Sequence, residues 1–280
     1  MKQIELLRLG ENALKQVNVQ DAHIQASTLL QYVLKQTKQS LIINSKETVK
    51  QQQVDEYNQY IQQLINGMPL QYITHKQQFM ALDFYVDENV LIPQPDTENL
   101  VEEAIKVIKQ MKNANVLDLC TGSGAIAVSI ANYCKNAKVT ATDISPKALE
   151  IAAKNAEANN VSINFIESDL FEKIKENSFN VIVSNPPYIA TEVINTLNKD
   201  VQAEPHIALD GGKDGLDFYK KILTESYKYL APNGYLILEI GYDQGNIVIN
   251  LEHKNLKLVT KEPIKDLAGN DRVVIFKKEE

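Results

Sequence analysis

The stretch "NVLDLCTGSGAIAVSIANYC", residues 115–134, decides the fold. Val116, Leu117 and Leu119 form a short apolar run, Gly122-Ser123-Gly124 breaks it, and Ala125 onward is spaced as a buried helix. Strand, tight glycine turn and helix in succession make the first half of a βαβ unit. The same alternation continues. "KVTATDI" (138–144) reads as a strand, and "SPKALEIAAKNAEANN" (145–160) as a helix with Ser145 as cap and Pro146 at its first position. "SINFIES", "FNVIVSN" and "YLILEI" read as strands, and "LDFYKKILTESYKYL" and "GNIVINLEHK" as helices. "KLVTKEPIKD" and "DRVVIFKK", joined by "LAGN", read as a closing antiparallel pair. The expected fold class is α/β: a Rossmann-like, doubly wound, mostly parallel seven-stranded sheet covered on both faces.

Upstream the period changes. In "AHIQASTLLQYVLKQ" (22–36) and "QQQVDEYNQYIQQLINGMP" (51–69) apolar residues recur at helical spacing, and Pro69 blocks continuation. Residues 1–74 are therefore expected to be an N-terminal helical bundle. "FMALDFYVDENVLIP" (79–93) is expected to hold a β-hairpin linker within 75–92, turning at Asp87-Glu88-Asn89. In "IPQPDTENL" either Asp96 or Thr97 is expected to cap the helix through Leu100, Val101, Ala104, Ile105 and Ile108. Residues 93–280 then form the α/β domain.

Bulk properties exclude several classes. The net charge of −7 gives no general attraction to nucleic acid phosphates. No apolar run approaches the roughly 20 residues that span a bilayer, and MKQIELLRLGENALK has no signal-peptide core. Cys120 and Cys134 show no metal-binding spacing. The expectation is a cytoplasmic monomer with no metal, no stable nucleic acid partner and no membrane.

In open α/β sheets ligands bind at the carboxyl ends of strands, where the strand order reverses. Gly122 and Gly124, with Ala127 three residues on, satisfy the looser glycine pattern of nucleotide cofactors without naming one. Asp118 at the strand end would repel a pyrophosphate and suit an ammonium group; Asp143, ending the second strand, suits ribose hydroxyls. Together they favour S-adenosylmethionine over NAD, although Asp118 and Asp143 could also serve as local turn and helix caps. Phe171, after the third strand, suits either adenine stacking or the core.

The fourth strand ends in "SNPPYIA", where two prolines stop the ladder. Asn185 offers an acceptor oxygen and Pro186 a carbonyl, beside the Tyr188 ring. Two rigid acceptors next to an aromatic face suit a planar –NH2 group. No Ser-His-Asp or Cys-His arrangement is visible, so catalysis would rest on alignment and on stabilising positive charge at nitrogen.

These motifs resemble the class I S-adenosylmethionine-dependent methyltransferases, and more closely the N5-glutamine methyltransferases of peptide chain release factors. The resemblance spans "FMALDFYVDENVLIPQPDTE", "VLDLCTGSGAIA", "SNPPYIA", "EPHIALDGGKDGLDFY", "GYLILEIG" and "KDLAGNDRVV". Asn-Pro-Pro-Tyr by itself is shared with DNA adenine methyltransferases; the other segments are more specific. The resemblance implies methylation of the glutamine in the Gly-Gly-Gln motif of class I release factors, yielding S-adenosyl-L-homocysteine. A ribosomal-protein glutamine methyltransferase and, further off, a DNA adenine N6-methyltransferase are the alternatives. By residue match, Cys120, Thr121, Gly122, Ser123 and Gly124 would cradle the cofactor, with Asp143 at the ribose, Phe171 near the adenine and Asn185 at the reacting end. Asn185, Pro186, Pro187 and Tyr188 would hold the substrate amide, with Asn185, Pro186 and Tyr188 catalytic. Gln94 stands where the family leads one to expect Arg, and Cys120 where Gly is usual. The insertion with Glu204-Pro205 and Asp210-Gly211-Gly212 is expected to join the protein-substrate surface, and the N-terminal helices to grip the release factor body.

Overall fold

The computed structural model describes residues 1–176 and 179–279. These divide into two compact units: Met1–His75 with Asn198–Ala203, and Lys76–Leu197 with Glu204–Glu280.

The first unit is helical, with α1 (Gln3–Gln16), α2 (Ala22–Leu34), α3 (Lys38–Ile43), α4 (Gln51–Ile65) and α5 (Leu70–Thr74). Ala26, Leu29, Leu30 and Val33 of α2 face Val54, Tyr57, Ile61 and Leu64 of α4 in one core. This is the helical stripe read from the sequence. The Tyr57 hydroxyl satisfies itself on the Ala26 carbonyl at 3.2 Å, so a buried phenol leaves no orphan donor.

The second unit opens with a hairpin of β1 (Gln77–Phe79) and β2 (Leu82–Phe84). Its turn is Met80-Ala81, not Asp87-Glu88-Asn89 as the composition suggested. Both turn residues have positive φ, 49° and 56°, as a two-residue hairpin of this hand requires. Neither is glycine or asparagine. The turn is held from outside: the Met80 amide donates to Glu98 Oε1 at 2.6 Å, and the Tyr133 hydroxyl donates to the Met80 carbonyl at 2.5 Å. Asp87 instead closes a local turn, accepting the Asn89 amide at 3.0 Å.

After a 3₁₀ turn at Pro95–Thr97 come α6 (Glu98–Ile108), β3 (Ala114–Leu119), α7 (Ala125–Tyr133), β4 (Ala137–Asp143), α8 (Pro146–Ala158), β5 (Asn164–Glu167) and β6 (Phe179–Ser184). Three single-turn helices follow: α9 (Thr191–Ile194), α10 (Lys199–Gln202) and α11 (His206–Leu209). Then α12 (Asp217–Tyr229), β7 (Leu230–Glu239), α13 (Gly245–Val248), β8 (Leu256–Leu258), β9 (Ile264–Lys265) and β10 (Asp271–Lys278) complete the chain. Ser145 caps α8 as its sequence suggested, its side chain accepting the Ala148 amide at 3.2 Å. The helix expected over "GNIVINLEHK" is only the four residues of α13.

The sheet runs β5-β4-β3-β6-β7-β10-β8, seven strands in a row, with the two-residue β9 added on β10 as an eighth. The pairs from β5 to β7 are parallel; β10 is antiparallel to its partners. Alternate strand residues feed two cores. Val116, Val181, Val183 and Ile237 pack with α6 and α7 on one face, while Leu117, Ile182, Leu236 and Leu238 pack with α12 on the other. Winding starts at β3 and goes outward first through β4 and β5, then back through β6. The order therefore reverses between β3 and β6, where ligand crevices of open sheets lie.

Candidate active site

β3 and β6 end level: Leu119 is in register with Ser184, whose hydroxyl donates to the Leu119 carbonyl at 2.9 Å. The glycine turn and the Asn-Pro-Pro-Tyr segment thus leave the sheet side by side. Cys120 enters the turn with φ +59°, a conformation that favours glycine, which accounts for the strain of a Cβ there. Gly122 has φ +54°, and a Cβ built on it would meet nothing within 4 Å, so space opens above this residue. Its amide donates to Asp143 Oδ2 at 2.8 Å, and the Ser145 amide donates to Oδ1 at 2.9 Å. Asp143 therefore does brace the turn and helix locally. Its pKa is raised by burial against the pull of these backbone amides. Carboxylate oxygens that each hold one donor still have lone pairs for ribose hydroxyls.

Asp118 is fully buried. Thr121 Oγ1 donates to its Oδ2 at 2.6 Å, but Oδ1 has no hydrogen-bond partner. Burial pushes its pKa up to about 7, against the Thr121 hydroxyl, with the Asp143 charge adding to the rise. A buried carboxylate oxygen without a side-chain donor, at the strand end that leads into the glycine turn, fits the ammonium of an amino-acid-bearing cofactor.

Asn185 is half-buried, and its Nδ2 donates to Thr97 Oγ1 at 3.2 Å. Thr97 therefore does not cap α6, and Asp96 does not either: Asp96 Oδ2 pairs with Arg272 at 3.0 Å. Arg272 also reaches Asp266 Oδ2 at 3.0 Å, and Asp266 Oδ1 accepts the Ala268 and Asn270 amides at 2.9 Å. The "KDLAGNDR" hairpin thus anchors the loop that carries Thr97.

The segment after Asn185 is buttressed from below. Gln244 Nε2 donates to the Tyr188 carbonyl at 3.0 Å and to that of Gly215 at 3.3 Å. The Ile189 amide donates to Leu209, and the Gly211 amide to Ile189, at 3.0 and 2.8 Å. A Cβ on Gly211 would sit 2.7 Å from Tyr188 Cα and 2.8 Å from the Pro187 carbonyl oxygen. The "ALDGGKDGL" part of the insertion, expected on the substrate surface, packs on this loop and fixes its backbone. Glu204, from the same insertion, is buried and accepts the Ile92 amide at 2.8 Å.

The residues read from the sequence do not all share one role. Thr121 to Gly124 and Asp143 are bonded together, with Asn185 to Tyr188 on the adjacent strand end. Phe171, read as either an adenine neighbour or a core residue, is 2 % exposed and stacks on Tyr229 at 4.4 Å. What remains open at that strand end is the half-exposed Asp169. Gln94 is exposed and bonds only its own loop, at the Ile92 carbonyl, 3.0 Å away. Sequence reasoning missed Thr97, Asn155, Glu239, Gln244 and Arg272. Asn155 was visible in principle, as a polar residue on the buried stripe of α8 with Ile151, Ala152 and Ala156. Its side chain holds the carbonyls of Tyr85 and Ser123, each at 2.9 Å.

Known proteins carry the same combination. A Methyltransferase small domain family matches residues 99–211, and a PrmC N-terminal domain family matches residues 5–74. A protein of Clostridium acetobutylicum named release factor glutamine methyltransferase is 42% identical over 280 residues, covering 98% of each chain. The chain belongs to the release factor glutamine methyltransferase family. A relative of the same name from Moorella thermoacetica is 37% identical and covers 94% of each chain. A solved methyltransferase of Pyrococcus furiosus superposes with a TM-score of 0.52 at 22% identity, covering 80% of this chain and 99% of that one. That likeness shows the fold. Among the described residues no helix is long and apolar enough to cross a membrane, and no cluster of His, Cys, Asp and Glu is arranged to hold a metal ion.

Proposed function

We propose that this family member methylates the side-chain amide nitrogen, N5, of the glutamine in the Gly-Gly-Gln motif of class I release factors. The observation that carries the reading is the alignment of the glycine turn with Asn185-Pro186-Pro187-Tyr188 across the β3/β6 reversal. S-adenosylmethionine would be held by the backbone of Cys120 to Gly124, Asp118 and Asp143, and when bound it supplies an electrophilic methyl group.

This chain's own residues do the rest. Asp118 Oδ1 meets an ammonium; Asp143 accepts ribose hydroxyls. Asn185 Oδ1 and the Pro186 carbonyl accept the two amide N–H bonds of the glutamine, and Tyr188 packs beside its plane. An amide nitrogen is a poor nucleophile because its lone pair is delocalised. Two fixed acceptors hold it in line and stabilise the positive charge that grows on it. The proton then leaves to water, so no dedicated base is needed. The helical N-terminal unit is assigned the body of the release factor.

The test is transfer of radiolabel from S-adenosylmethionine to a class I release factor and to its Gly-Gly-Gln→Gly-Gly-Ala variant. Label on the first only supports the assignment. Label on neither, while the cofactor binds, removes the release factor as substrate and points to ribosomal proteins.

A further inference from the structure

The Asn185 amide could face the site with either end. Rotation by half a turn about its terminal torsion exchanges the oxygen for the –NH2 with almost no change in shape. Only one orientation serves a substrate that is itself an –NH2 donor. Something must choose, and the choice lies underneath, where Nδ2 donates to Thr97 Oγ1 at 3.2 Å. A hydroxyl that accepts from Asn185 turns its own hydrogen elsewhere. Glu239 ends β7 one residue after Leu238, which pairs in register with Ser184, so its carboxyl comes up beside Asn185 and the Thr97 hydroxyl.

We propose that Glu239, acting through Thr97, is the positioning residue that turns the Asn185 carbonyl oxygen toward the substrate amide. The proposal rests on the glutamine-methyltransferase reading of the site and deepens it. Donors then run one way, from Asn185 Nδ2 to Thr97 and from Thr97 to a carboxylate that can only accept. Arg272, the cation that faces this carboxyl, already has two carboxylate partners in Asp96 and Asp266. Glu239 is 2 % exposed and its Oε2 has no hydrogen-bond partner, while its neighbours Leu238 and Ile240 are ordinary core. A buried charge of this kind costs stability that an apolar side chain would not.

The groups that face Glu239 are Arg272 on β10, Asp96 before α6, Tyr188 after β6 and Tyr219 on α12. Arg272 stays cationic, and burial pushes both phenols far above neutrality. Glu239 itself is raised by burial to about 7, against the Thr97 hydroxyl and Arg272.

The experiment follows the Asn185 side-chain amide by ¹H–¹⁵N NMR in the full-length chain, assigned by its loss in Asn185→Asp. In the wild-type protein the pair should exchange slowly with water and shift as pH passes about 7. Both features should vanish in Glu239→Gln and Thr97→Val and return in Thr97→Ser. At saturating cofactor, kcat should fall at least about tenfold in the first two variants, with KM for the cofactor unchanged. The ionisation near neutrality should disappear from the kcat profile of Glu239→Gln. An Asn185 amide signal identical in all four proteins would overturn the proposal, and so would Thr97→Ser behaving like Thr97→Val. A wild-type amide signature as expected, with no labelling of a release factor, would support the positioning and reject the glutamine assignment.

Discussion

Asp118 loses its water on folding and receives little in return: Thr121 donates to Oδ2, and Oδ1 has no hydrogen-bond partner. Below its ordinary pKa of 3.8 the group is protonated whether the chain is folded or not, so it costs nothing there. Between 3.8 and about 7 the folded chain keeps a proton that the unfolded chain releases. Each unit of pH in that window removes about 1.4 kcal/mol of stability per such group. Asp118→Asn should therefore raise the Tm of the cofactor-free protein at pH 8 and leave it nearly unchanged at pH 4, read by calorimetry. The same substitution should weaken S-adenosylmethionine binding at least about tenfold, because an amide no longer balances an ammonium. A variant that is stabilised yet binds normally would show that Asp118 is not at the cofactor. At Asn185 the expectations reverse. Asn185→Ala should leave cofactor affinity near wild type in titration calorimetry and lower kcat at least about tenfold, the scale of 1.4 kcal/mol in the barrier. Unchanged turnover would make Asn185 a purely structural residue.

Two loops, one after β3 and one after β6, carry the site, and their glycines are needed for different reasons. Gly122 has a left-handed backbone but open space at its Cβ position, whereas a Cβ at Gly211 would run into the backbone of Pro187 and Tyr188. Gly122→Ala should cost about 1–2 kcal/mol in backbone strain and reduce cofactor affinity more than it reduces folding. Gly211→Ala should displace the Asn-Pro-Pro-Tyr loop, lowering kcat while cofactor affinity persists. Measuring both constants on both variants checks the pair; equal losses in affinity would mean that the loops do not divide the work. The hairpin shows the same logic at lower stakes. Met80-Ala81 holds a turn usually given to asparagine and glycine because Glu98 and Tyr133 grip its backbone from α6 and α7. The Asp87-Glu88-Asn89 run has turn composition and does form a turn, but not the one that joins two strands.

Over the second unit as a whole, buried acids and paired acids pull stability in opposite directions with pH. Asp118 and Glu239 are raised to about 7, so their contribution falls as pH climbs from the carboxylate range toward neutrality. Asp266 is lowered to about 2 by the Asn270 amide, with the Arg272 guanidinium helping, so its contribution is complete above its ordinary 3.8 and is lost as pH falls toward 2. The cofactor-free protein should therefore be most stable in mildly acidic solution, between those two losses. Saturating S-adenosylmethionine should move the optimum upward, because an ammonium beside Asp118 stabilises its charged form. A Tm profile that stays flat from pH 4 to 8 in the absence of cofactor would contradict the burial of both carboxyls.

The sequence by itself determined the period of every long element, the β-α alternation, the helical character of the first 74 residues and the two loops that meet at the reversal of strand order. These are local properties: apolar spacing, glycine turns and prolines act within a few residues. It also displayed Asn185, Gly122 and Asp143, because each lies inside a short motif with a chemical reason to be there. Tertiary structure alone decided what stands behind them. Thr97 is separated from Glu239 and Arg272 by more than a hundred residues of chain, and the three converge only because β7 lies beside β6 and β10 beside β7 in the sheet. Phe171 went to the core for the same reason, since Tyr229 arrives across it from the end of α12. A side chain's partners depend on which strands become neighbours, and no local pattern encodes that pairing.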